Sequence, residues 1–279
     1  MFQRHFFASC VALGISATGL WAEDRPTDAI LDLLSLPQTI EVMRKEGLSY
    51  GAELGADMLM SGPNSGWSAT VERIYDTERM EETVRAGVAA AWEEGQGDLE
   101  TLTAFFADDA GQRVVQLEIS ARDAMSETGI EEAARLAWRV EADKPEDEQD
   151  PRLELIAEFV ESNDLIEANV VGAMNSSYAF YLGLVEGGAF EMTEEDILRE
   201  VWSTEAENRE DTREWLFGYM MMSYRPLEVE ALAAYVDMAK SEDGRALNRA
   251  LFAGFDRMYS DISYALGLAL AQQMTAQDL

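Results

Sequence analysis

Apolar residues recur along this chain at helical spacing. Leu247, Leu251, Phe255, Met258, Ile262 and Leu266 follow one another by four, four, three, four and four positions, which lays one apolar stripe along a long helix. Leu232, Tyr235, Val236 and Ala239 repeat the pattern earlier. Alternating apolar and polar runs bounded by turn residues, the mark of half-buried strands, are hard to find. Helix punctuation takes their place. Pro37 and Pro226 can start helices, and Thr193 followed by Asp196 reads as a capped start. Ser61-Gly62-Pro63-Asn64-Ser65-Gly66 and Gly187-Gly188 read as loops. The expected fold class is all-α, a helical bundle.

The stretch from Glu141 to Pro151 is acidic, holds two prolines and has no large apolar residue. It reads as a solvated connection between a first half, 23–140, and a second, 152–279. The ordered D-x-[DN]-x-[DN]-G pattern of a calcium loop is absent from it. The halves look related. Ile74-Tyr75-Asp76-Thr77-Glu78 resembles Val201-Trp202-Ser203-Thr204-Glu205. Glu100, Leu102, Ala104 and Phe105 match Glu230, Leu232, Ala234 and Tyr235, and Gly111 and Met125 match Gly244 and Met258. Two helical-bundle halves from an internal duplication, packed together, are therefore expected. Gly111 and Gly244 are expected to relieve tight helix-to-helix turns, where glycine tolerates positive φ.

These same segments resemble a known family. Leu102-Thr103-Ala104-Phe105-Phe106-Ala107-Asp108-Asp109-Ala110-Gly111-Gln112 is similar to the signature of the bacterial domain-of-unknown-function family 2059, and Leu232 through Arg245 looks like a second, diverged copy. Asp108-Asp109 stands where the family has Ser-Pro, and the second copy has three more residues before Gly244. The resemblance implies a small helical fold in exported bacterial proteins and brings no established activity.

Residues 1–22 read as a secretory signal. Arg4 and His5 make a positive start, Phe6 to Leu20 is mostly apolar and uncharged, and Ala22 precedes the acidic Glu23-Asp24. Cleavage after Gly19 is the alternative. The apolar run of about 15 residues falls short of the roughly 20 that span a bilayer. Phe7-Ala8-Ser9-Cys10 makes a poor lipid-attachment box, with almost no apolar core upstream. The expected location is periplasmic or secreted, without stable membrane insertion after cleavage.

Cleavage would change the chemistry more than the size, because Cys10 is the only cysteine and His5 the only histidine. A mature chain lacking both cannot build a Ser-His-Asp triad, a Cys-His pair, the usual zinc site or a Glu-x-x-His di-iron centre. No Walker loop or G-x-G-x-x-G occurs, and no metal or cofactor is expected. A Ser-Lys catalyst would need Lys45, Lys144 or Lys240, which stand among acidic or loop residues. Lysine and arginine number 21 against 54 acids, a formal charge of −33. That balance argues against nucleic acid, whose counterions a basic surface must replace, and against anionic membranes. A solvated, self-repelling surface is expected, with divalent-cation binding as the alternative.

Carboxylates are the chemistry that remains. Glu161-Ser162-Asn163, followed by Ala168, Gly172, Ala173 and Met174, faintly resembles the catalytic segment of lytic transglycosylases. In that family the glutamate is the general acid that cuts peptidoglycan, which makes Glu161 the candidate catalytic residue here. Asn175-Ser176-Ser177 stands where the family continues with Gly-Leu-Met-Gln. A capped helix start at Asn163-Asp164 accounts for Ser162 and Asn163 equally well. Met220-Met221-Met222 would point in three directions about 100° apart on a helix, which favours core packing over copper binding. Tyr178, Phe180, Tyr181, Trp202 and Trp215 read as core, or as walls of an apolar groove. The function expected is a non-enzymatic exported protein that binds an unknown protein or small-molecule partner. The alternatives are a carboxylate-dependent cell-wall glycosidase and a divalent-ion-binding acidic protein.

Overall fold

The computed structural model describes residues 25–59, 62–95 and 97–277, so the expected export signal lies outside the described residues. Among them are thirteen α-helices, one short 3-10 turn and no strand, and the fold is all-α. In chain order the helices are α1 (Asp28–Leu33), α2 (Leu36–Met58), α3 (Ser65–Ile74), α4 (Thr77–Gly95), α5 (Leu99–Ala107), α6 (Asp109–Met125) and α7 (Thr128–Ala142). They continue with α8 (Pro151–Ser162), α9 (Leu165–Glu186), α10 (Glu194–Ser203), α11 (Glu205–Tyr224), α12 (Val229–Lys240) and α13 (Glu242–Gln277).

Local chemistry explains several of the helix starts. Thr193 caps α10 in a reciprocal box: the Asp196 N–H donates to Thr193 Oγ1 at 3.2 Å, and the Thr193 N–H donates to Asp196 Oδ2 at 3.1 Å. Pro37 stands in the first turn of α2, whereas Pro226 lies in the turn before α12. The start at Asn163-Asp164 differs from expectation. Asn163 reaches back to the Phe159 carbonyl at 3.3 Å, and Asp164 takes a left-handed φ of 50° with no side-chain cap. Only two residues join α8 to α9, and the chain reverses there through the left-handed Asp164.

The last helix is the spine of the bundle. At 36 residues α13 is about 54 Å long, and it packs along α9 and α4. The stripe read from sequence faces inward: Leu247, Met258, Ile262 and Leu266 are buried, and Leu251 and Phe255 pack against the same cores.

Helix order recurs along the chain. The series α2 to α6 has 23, 10, 19, 9 and 17 residues, and α9 to α13 has 22, 10, 20, 12 and 36. Ile74–Glu78 and Val201–Glu205 each join the short second member to the long third. Pairings recur as well, α2 on α3 like α9 on α10, and α1 on α5 like α8 on α12. The long members cross over: α4 packs on α13, and α11 packs on α6. Each apolar core therefore takes side chains from both sides of the acidic connection. One joins Ile30, Leu102 and Phe106 to Ile156, Tyr224 and Leu232; the other joins Trp67 and Val84 to Leu184, Met258 and Leu266. The connection itself is largely exposed and is tied by local bonds, including the Asp150 N–H to Glu141 Oε1 at 2.7 Å.

Close approach, not positive φ, sets the role of Gly111 and Gly244. Each is the third residue of its helix, one turn past a capping side chain: Asp108 accepts from the Ala110 N–H at 3.4 Å, and Ser241 accepts from the Gly244 N–H at 3.0 Å. A Cβ on Gly111 would overlap the backbone of Phe105 and Phe106; on Gly244 it would overlap that of Met238 and Ala239. Among the described residues the positive-φ glycines are Gly62 and Gly188. The three extra residues of the second corner lie inside α12, so each glycine stands four residues past the end of the helix before it. Gly111→Ala and Gly244→Ala are each expected to cost about 1–3 kcal/mol, since backbone must shift to admit the methyl. Urea unfolding of the two variants measures it.

Candidate functional site

Helix α6 turns two charges toward the protein interior. Val115, Glu118, Arg122 and Met125 are spaced by three, four and three, which puts them on one helical face. Val115 and Met125 are buried in the core. Glu118 meets three tyrosines. Tyr224 of α11 and Tyr235 of α12 donate their hydroxyls to Glu118 Oε1, at 2.5 and 3.1 Å. Tyr219 of α11 donates to the Glu118 carbonyl at 3.2 Å. Among the described residues nothing donates to Glu118 Oε2.

The surroundings of that carboxyl are apolar. It lines a cavity of about 340 Å³ whose walls include Val42, Val115, Phe159, Trp215, Met220 and Phe255. Burial pushes the Glu118 carboxyl above its ordinary range, and the two phenol bonds only partly oppose this. Burial first, then the nearby carboxylate, pushes Tyr224 and Tyr235 well up as well. Both phenols therefore stay protonated donors.

Arg122 stands one turn along α6, at the threshold of the cavity. Its guanidinium pairs with Glu46 in two bonds, Nε to Oε1 at 3.2 Å and a terminal nitrogen to Oε2 at 2.8 Å. It also donates to the Tyr259 hydroxyl at 3.4 Å and lies 5.7 Å from the centre of the Trp215 ring. No ion pair joins it to Glu118 among the described residues. Arg122, Asn169, Trp215, Phe252, Phe255 and Tyr259 line both the inner cavity and an outer groove of about 620 Å³ between α9, α11 and α13. Asp211 and Asp256 line that groove.

The residues singled out by sequence are scattered relative to this site. Glu161 is exposed near the end of α8 and does not line the cavity. Gly244 lines it and Gly111 does not. Met220 is buried against it, and Met221 packs on the same core. The aromatic set is not brought together: Trp215 walls the cavity, Phe180 and Tyr181 line a separate hollow with Tyr50 and Tyr75, and Trp202 is 64% exposed. Sequence reasoning missed Glu118 and Arg122. Their signal was an acid and a base on the apolar face of a helix that otherwise buries Val115 and Met125.

Among the described residues, no group of three or more His, Cys, Asp or Glu is gathered to hold a metal ion, and no helix is long and apolar enough to cross a membrane. No family model matches the chain, and no curated protein and no solved structure matches it.

Proposed function

We propose that this is an exported, periplasmic or secreted protein that binds a small molecule inside its helical bundle and acts by holding that molecule. The observation that supports this most is the inner cavity, where a mostly apolar wall carries a few polar side chains, Glu118, Arg122, Asn169 and Asn248 among them. Ligand sites have this composition, a mostly apolar cleft with few convergent polar groups. A molecule bound there would pack against that wall and give the half-buried carboxyl a partner, and both changes are favourable. Export rests on the N-terminal pattern, and the recurrent helix order supports an internal duplication like that of the resemblance to family 2059.

Filling the cavity tests the reading. Val42 is half-buried and lines the space, so Val42→Trp places an indole in it. Titration with the fluorophore 1-aminoanthracene is expected to show one saturable site in the wild type. Affinity should fall at least about tenfold in Val42→Trp, about 1.4 kcal/mol, with helix content unchanged by circular dichroism. Equal binding by both proteins would overturn the reading.

A further inference from the structure

Taking the cavity as a small-molecule site, we propose that its ligand is an apolar amine whose ammonium group donates to Glu118 Oε2. The anchor is the first argument. Oε1 already accepts from Tyr224 and Tyr235, and Oε2 lacks a donor among the described residues. Once ionised, the carboxyl offers Oε2 to a donor, and a charged donor makes the strongest bond to it and stabilises the ionised form. The second argument is the wall. Tyr224, Tyr235, Phe106 and Phe159 line the cavity with Glu118, and aromatic faces attract cations when water is excluded.

The third argument is what the threshold offers an anion. Among the described residues Arg122 is the one cation lining the cavity, and Glu46 already holds it in two bonds. An anionic ligand would have to displace that carboxylate and then lie near Glu118. An amine meets no such cost. The field outside favours it too, since the outer groove carries Asp211 and Asp256 and the whole chain has 54 acids against 21 bases. A field of that sign concentrates cations at the entrance. A cavity of roughly 150 Å³ admits benzene, so about 340 Å³ has room for an aryl-alkyl body. The Glu118 carboxyl gives up its proton to solvent as the ammonium seats.

Calorimetric titration of the mature chain with phenethylamine, 2-phenylethanol and phenylacetate tests the assignment. The three share an apolar body and differ in the charge of the head group. Phenethylamine is expected to bind at least about tenfold more tightly than the alcohol, and phenylacetate more weakly than either. Glu118→Gln keeps an oxygen for both tyrosines and removes the charge, so it should bring the amine down to the affinity of the alcohol. Phenylacetate binding as tightly as the amine, or an amine preference that survives in Glu118→Gln, would overturn the amine and leave the cavity reading standing. No binding by any of the three, together with an inert Val42→Trp in the fluorophore titration, would overturn both. Should Glu118→Gln fail to fold, the wild-type ranking decides alone.

Discussion

Replacing Trp67 with alanine is expected to remove about 3–5 kcal/mol of unfolding free energy. The indole is fully buried, and its N–H donates to the Gly51 carbonyl at 2.7 Å. It lies on a strip of backbone made by Gly47, Gly51 and Gly55, one glycine per turn of α2. Two side chains of α3 and the residue just past its end use the strip: Tyr75 lies over Gly47, Val71 over Gly51 and Trp67 over Gly55. Each glycine inside a helix costs about 1 kcal/mol relative to alanine. Burying a tryptophan, a valine and a tyrosine outweighs that cost, because each large side chain gains about 1.5–3 kcal/mol or more.

Two further variants separate packing from hydrogen bonding at this site. Trp67→Phe keeps most of the area and removes the indole bond to a carbonyl that α2 already engages, so it should cost about 0.5–1.5 kcal/mol. Gly51→Leu should cost at least as much as Trp67→Ala, because a Cβ there already overlaps Val71 and α3 must lift away. Urea unfolding followed by tryptophan-independent circular dichroism measures all three. A loss below about 1 kcal/mol for Trp67→Ala, the scale of an ordinary surface change, would show that the strip does not hold α3.

Glu118→Gln is expected to change how stability depends on pH. Burial places the folded carboxyl above its ordinary value of 4.5, so the native state holds a proton that the unfolded chain releases. Stability from this group is fully present below the ordinary value and is lost as pH rises toward the folded one. The slope in that window approaches about 1.4 kcal/mol per pH unit for a single group. The facing groups do not titrate there. Tyr224, Tyr235 and Tyr219 are all pushed upward by burial, and Arg122 on the same helix is held charged by Glu46. Glutamine should therefore flatten the profile above pH 5 and leave the variant more stable than wild type at pH 8. Parallel unfolding midpoints for the two proteins from pH 4.5 to 8 would rule out a buried protonated carboxyl.

Much of the local structure was legible in the sequence. The apolar stripe from Leu247 to Leu266 is the buried face of α13, and Thr193 with Asp196 makes the expected capping box. Both depend on neighbours within one or two helical turns. Met220 goes to the core because methionine fills gaps wherever an apolar face leads it. The backbone crowding at the corner glycines Gly111 and Gly244 was not legible. Whether glycine answers a positive φ or a crowded backbone depends on the helix behind it.

The site was the least legible part. One sequence determines that these segments are helices, where many of them start and which faces are apolar, because those properties follow from spacing and short-range bonds. Tertiary structure alone decided that α4 lies on α13 while α11 lies on α6, and that α2, α6, α11, α12 and α13 converge on the cavity. It also decided which of 54 acids would matter. Glu118 stands out through what α11 and α12 place against it, two phenols on one oxygen and apolar space beside the other. Desolvation depends on everything within several ångströms in every direction, and a linear pattern carries no record of those distances.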